Sequence, residues 1–207
     1  MTHIGHSGKM LFMKKFLIIL ILIFTLPTPS QADDIRDFQI EGMSVGDSLL
    51  DHLTESKIKK LKKNFYPSSK KYYYIEYKQG YEVYDQVQFH IKTEDKNYII
   101  YTLGGIIFYK DNIRDCYDKK NKIVEELTEL FKEAKIRDAG IKPHSTDKTG
   151  KSTIHNVFFD FKSGDAAKVA CFDWSKKIEK EKNWSDNLRV SIGLEEAIKW
   201  FRNEAYK

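Results

Sequence analysis

The sequence predicts an α+β protein in which helices pack on one face of an antiparallel sheet. In several segments apolar residues alternate with polar ones, which indicates strands; in others they recur every three or four residues, which indicates helices. The strand segments follow one another with short turns between them, and strands joined in this way pair antiparallel. Since 41% of the 207 residues are hydrophobic and 31% are charged, the composition fits one globular domain.

The first 32 residues have the pattern of a secretory signal peptide. Lys14 and Lys15 precede an unbroken apolar run at residues 16–24, and proline and small residues follow as far as Ala32. We expect cleavage between Ala32 and Asp33, which leaves residues 33–207 as a single mature domain. A retained membrane anchor is the alternative, although spanning a bilayer takes about 20 apolar residues.

The lysine pair directly follows Met13, as in a native start, so residues 1–12 are a candidate over-extended start. Export predicts a periplasmic or secreted protein with no stable membrane anchor after cleavage. The first 32 residues contain three lysines and no acid, so cleavage lowers the net charge from +5 to +2. A charge this small gives no general attraction to phosphate backbones, and nucleic acid is not an expected partner.

A helical hairpin is predicted at the start of the mature domain. Ser44 and Asp47 supply a cap and a first-turn acid for a helix over residues 46–52. Thr54 caps a second helix whose apolar stripe includes Phe65, and Pro67 ends it.

Strands and two long helices are predicted in the rest of the chain. Residues 83–91 and 98–109 have strand patterns, with a bulge or bend at Gly104 and Gly105. Asn112 begins a long central helix that ends near Ala134, and residues 136–152, which have no periodicity, predict a long loop. A second hairpin over residues 157–174, a solvated charged segment, a strand at 188–192 and a C-terminal helix at 194–205 complete the domain.

The two cysteines of the chain, Cys116 and Cys171, are predicted to form a disulfide. Exported domains that contain one pair of cysteines usually bridge it, because the compartment is oxidising. Two buried free thiols, or one reactive cysteine, are the alternatives.

The reactive alternative depends on Cys116, which follows Asp115 at the start of the central helix, and on His155 in a later strand. This arrangement resembles the NlpC-type cell-wall cysteine peptidases, in which a cysteine at a helix start faces a histidine on the sheet. The resemblance implies a cysteine hydrolase with Cys116 and His155 as its catalytic residues.

Nine of the twelve tyrosines lie between Tyr72 and Tyr109. Tyrosine is favoured on half-buried strands, so these side chains either cover one face of the sheet or form a contact surface. For the contact surface, Tyr72, Tyr74 and Tyr84 are the exposed candidates.

No metal site or cofactor is predicted. The mature domain has four histidines, and no two of them lie three to five residues apart, as two ligands on one helix or turn would. They are His52, His90, His144 and His155.

Residues 38–51 contain Gly42, Met43, Ser44 and Asp47. This segment resembles the start of the fold of the SmpA/OmlA-type envelope assembly lipoproteins, which implies a helix pair followed by antiparallel strands. Taken whole, the chain resembles exported proteins of marine alphaproteobacteria, which implies a compartment but no activity.

We therefore expect a non-catalytic binding or scaffold protein of the cell envelope, with an envelope protein or glycan as its partner. A cysteine hydrolase is the alternative.

Overall fold

The structure, a computed structural model, describes residues 34–110 and 112–207. The predicted signal peptide and its cleavage site lie outside these residues. The α+β class is confirmed, because eight strands form one antiparallel sheet and helices pack against it. The strands are β1 (Asn64–Phe65), β2 (Tyr72–Tyr77), β3 (Gln86–Lys92), β4 (Thr102–Tyr109), β5 (Lys135–Pro143), β6 (Thr153–Asp160), β7 (Ala166–Asp173) and β8 (Asp186–Gly193). The helices are α1 (Glu55–Lys60), α2 (Ile113–Leu130), α3 (Lys176–Lys182) and α4 (Glu195–Asn203).

The order of strands in the sheet is β1-β2-β3-β4-β8-β7-β6-β5, and every neighbouring pair is antiparallel. Each half of the sheet is therefore a four-stranded meander, and the two meanders meet where β4 pairs with β8. This topology places the last strand of the chain near the centre of the sheet and leaves β1 and β5 at its edges.

The central helix α2 covers one face of the sheet, which we call the α2 face. Asn112 begins the helix, because its Oδ1 accepts a hydrogen bond from the backbone N–H of Arg114 at 3.1 Å. Leu127 and the following Phe131 are buried together with the apolar side chains that β7 and β8 direct to this face. The burial of these side chains is the main source of stability for the fold.

The opposite face of the sheet, which we call the polar face, also carries helices. In α4, Trp200 is buried against Tyr72 of β2, with ring centroids 4.8 Å apart. In α3, Ile178 is buried with Ala170 and Phe172 of β7. The expected packing of helices on one face is therefore wrong. An alternating strand pattern identifies the residues that share a face, but it does not indicate what covers the face.

The predicted N-terminal hairpin is wrong. Its first helix is a single 3-10 turn at Leu49–Asp51, and its second is the short α1, which ends at Lys60. The chain is extended from Leu61, and Phe65 pairs with Tyr73 in the ladder between β1 and β2. Helix propensity is a weak preference, and here the hydrogen bonds of a sheet edge outweigh it.

Gly104 and Gly105 do not form the predicted bulge, because β4 pairs without interruption with both β3 and β8. Gly105 instead makes room for a ring: a Cβ there would lie 2.5 Å from Cδ1 of Tyr84. The predicted loop at 136–152 is wrong in its first half, which belongs to the strand β5. That strand lies at the sheet edge with almost every side chain exposed, so its sequence has no alternation to detect.

None of the helices within residues 34–110 and 112–207 is both long enough and apolar enough to cross a membrane.

Candidate functional site

The predicted disulfide between Cys116 and Cys171 is confirmed. It joins the first turns of α2 to β7, and both residues are fully buried. A nucleophilic cysteine needs a free thiolate, and the bridge occupies both sulfur atoms. In this oxidised form Cys116 cannot act as the nucleophile of a hydrolase.

His155 lies beside the disulfide, because it is the direct cross-strand partner of Cys171. Its Nε2 is 2.8 Å from Oδ1 of Asp138 in β5 and 3.4 Å from Nζ of the buried Lys120 in α2. Burial lowers the pKa of Lys120, whereas the charge of Asp138 acts in the opposite direction. The contacts of His155 thus link β5 to α2, with no free sulfur atom for the ring to activate.

The three candidate tyrosines do not form one surface. Tyr72 is fully buried under Trp200, so its predicted exposure is wrong. Tyr74 is partly buried on the polar face, with its ring centroid 5.5 Å from that of His90. Tyr84 packs over Gly105, whose cross-strand partners Val87 and Val190 belong to the α2 face. Replacing all three would disturb the core at two places.

Between α3 and α4, the polar face contains a strip of side chains that stay partly exposed in the described part of the chain. Cross-strand pairing places its side chains side by side, since Ser191 is opposite Lys168, and Lys168 is opposite Phe158. Five partly exposed side chains form this open strip: Arg189 and Ser191 of β8, Lys168 of β7, and Asn156 and Phe158 of β6.

Arg189 has an incomplete set of hydrogen bonds. Its Nη1 donates to Oε1 of Gln88 at 3.2 Å, and Gln88 in turn donates to Oε1 of Glu76 at 3.1 Å. The guanidinium carbon lies 5.2 Å from the centroid of the Phe172 ring. The buried Nε has no hydrogen-bond partner among the described residues. Burial of this cation lowers its pKa, although arginine remains charged at neutral pH.

Lys168 adds a second positive charge to the open strip. None of the described hydrogen bonds or ion pairs involves its ammonium group. Burial, together with the nearby charge of Arg189, lowers its pKa to about 8. At pH 7 the group therefore remains mostly protonated. The two cations repel each other, and Lys168 has no acidic partner among the described residues.

His90 lies under α4, next to the open strip. Its Nε2 is 2.7 Å from the hydroxyl of Tyr66, and its Nδ1 is 2.5 Å from Oγ1 of Thr102. Burial lowers its pKa to about 3, and the charges of Arg189 and Lys168 contribute to the same shift. The imidazole is therefore neutral, and it satisfies the two hydroxyl groups without adding charge.

Arg189 and Lys168 were not among the site residues predicted from the sequence. The available signal was a basic residue in the middle of a short apolar strand, as Arg189 is between Leu188 and Val190. Within the part of the chain that the structure describes, no group of three or more histidine, cysteine or acidic side chains could hold a metal ion.

The comparisons with known proteins find no match: no family model, no curated protein and no solved structure matches the chain.

Proposed function

We propose that this is an exported binding or scaffold protein of the cell envelope that acts without catalysis and contacts its partner through the polar face. The observation that carries this proposal is the open strip, where polar and aromatic side chains lie partly exposed across three adjacent strands. Interface cores are enriched in arginine and aromatic residues, and the open strip combines Arg189 with Phe158.

The disulfide favours the non-catalytic role over the alternative, a cysteine hydrolase. A bridge between α2 and β7 removes the nucleophile that the hydrolase hypothesis requires. It also supports export, since disulfides persist in oxidising compartments. The sheet gives the open strip a rigid base, because β6, β7 and β8 each pair along their length with two neighbours.

Binding through the polar face is testable by site-specific photo-crosslinking in producing cells. A photoreactive residue in place of Phe158 or Ser191 should give a discrete crosslinked product, because these side chains belong to the open strip. The matched controls are Lys122 and Glu125, which are exposed on α2 over the opposite face, and there no such product is expected. Products that are the same at all four positions, or absent from the strip positions, would contradict the proposal.

Export is tested by determining the N-terminal sequence of the protein purified from the soluble envelope fraction or the medium. We expect it to begin near Asp33, because small residues precede that position after the apolar run. Membrane-bound protein that still contains residues 16–24 would contradict export in soluble form.

A further inference from the structure

We infer that the open strip binds the carboxylate of an acidic segment of a partner protein, with Arg189 as the principal contact and Lys168 as the second. This inference rests on the proposed binding function and adds the chemistry of the partner. It depends on three features of the polar face: the unsatisfied Nε–H of Arg189, the charge of Lys168, and the open shape of the strip.

The guanidinium of Arg189 is held in place with one donor unsatisfied. Gln88 accepts from Nη1, and the Phe172 ring lies 5.2 Å from the guanidinium carbon, so the side chain is oriented before any ligand arrives. The Nε N–H has no acceptor within the described part of the chain. Arginine binds carboxylates through pairs of neighbouring N–H groups, and an unpaired buried donor gains most from a charged acceptor.

Lys168 lies beside Arg189 on the next strand. Arg189 is opposite Ala170 and Ser191 is opposite Lys168, so the two cations are diagonal neighbours. Diagonal neighbours in an antiparallel pair are about 7 to 8 Å apart, which places long side chains within reach of the same ligand. A carboxylate between them would relieve the repulsion that both cations experience.

The acids on this face are already engaged. Glu76 accepts from Gln88, and Asp160 forms ion pairs with Arg137 and Arg202, each at 3.2 Å. Burial lowers the pKa of Arg189, and the charge of Glu76 raises it although the two side chains form no ion pair; Lys168 has no acidic partner among the described residues. Charge complementarity therefore favours an anionic ligand.

The shape of the strip favours a protein partner over a small free anion. A small-molecule site is concave and encloses most of its ligand, whereas these side chains lie across the surface of a sheet. Phe158 is also partly exposed beside the cations; the guanidinium carbon of Arg137 lies 4.2 Å from the centroid of its ring, and the rest of the ring offers apolar contact area next to the charged centre. An acidic segment of a protein would use both features, with its carboxylate on Arg189 and its neighbouring side chains on the ring.

The test is a titration of the oxidised 15N-labelled mature protein with a blocked hexaglutamate peptide, followed by NMR at the Nε–H signal of Arg189. We expect a saturable shift of this signal and weaker binding at higher salt. Arg189→Lys should weaken binding by about tenfold, because an ammonium group keeps the charge but lacks the fork of donors. Lys168→Gln should weaken it by a few-fold, and Arg114→Lys, at an exposed site on α2, should leave it unchanged.

Several results would overturn the inference. One is hexaglutamate binding that Arg189→Lys and Lys168→Gln leave unchanged. Another is an equally strong shift with inorganic phosphate or with polygalacturonate, because the ligand would then be a free anion or an acidic glycan. If Arg189→Lys lowers stability, Lys168→Gln alone decides the question. Crosslinks confined to the open strip, together with no peptide binding, would leave the proposed function standing and reject only this inference.

Discussion

Replacing Cys116 and Cys171 together with alanine is expected to lower the free energy of unfolding by about 4 kcal/mol. The two residues are separated by 55 positions, and the bridge restricts the unfolded chain by closing a loop of that length. Both residues are fully buried between α2 and β7, so the alanines also remove packed sulfur atoms from the core. The measurement is urea unfolding followed by tryptophan fluorescence, with the slope expected to increase as the unfolded chain expands.

The control for this loss is the oxidised protein with and without a strong reductant. Reduction should bring the wild-type stability close to that of the double variant, whereas the double variant should not respond to the reductant. Oxidised wild-type protein should also expose no reactive thiol after denaturation. A loss below about 1 kcal/mol in the double variant would mean that the bridge contributes little to stability, contrary to the loop-closure argument.

The elements that were predicted correctly from the sequence have a regular spacing of apolar residues and one buried face. In β3, β7 and β8, every second side chain lies in the core on the α2 face, so apolar residues alternate along the sequence. The helix α2 has an apolar stripe for the same reason. β5 was missed because it is a sheet edge with both sides exposed, so no hydrophobic pattern marks it. The short pairing of β1 with β2 was missed because only the fold brings Phe65 beside Tyr73.

The candidate site was predicted less well than the fold, for a related reason. A tyrosine in a strand is equally compatible with a buried and with an exposed ring. The burial of Tyr72 depends on Trp200, which lies more than a hundred residues further along the chain. The open strip is formed by side chains of three strands, and each of them alone is an ordinary polar or aromatic residue. Only the register between β7 and β8 places Arg189 and Lys168 next to each other.

His90 is expected to make the protein less stable as the pH falls from 7 to 4. Its pKa is about 3 in the folded protein, whereas an unfolded histidine titrates near 6.5, so between these values the unfolded chain binds one more proton. The contribution is fully present above pH 6.5 and decreases at lower pH by about 1.4 kcal/mol per unit. The physical cause is burial of the ring under α4, reinforced by the charges of Arg189 and Lys168.

The variant that isolates this effect is His90→Gln, whose amide can still bond to the hydroxyls of Tyr66 and Thr102 but does not titrate. Acidic side chains with lowered pKa, such as Asp147 and Glu196, also cost stability in acid, but they are present in both proteins and cancel in the difference. We expect the wild type to lose about 3 kcal/mol more than the variant between pH 6.5 and pH 4. The ring signals of His90 in NMR spectra of the wild type should not titrate over the same range. A midpoint near pH 6 for these signals would show that the imidazole takes up its proton in the folded protein and that burial does not lower its pKa.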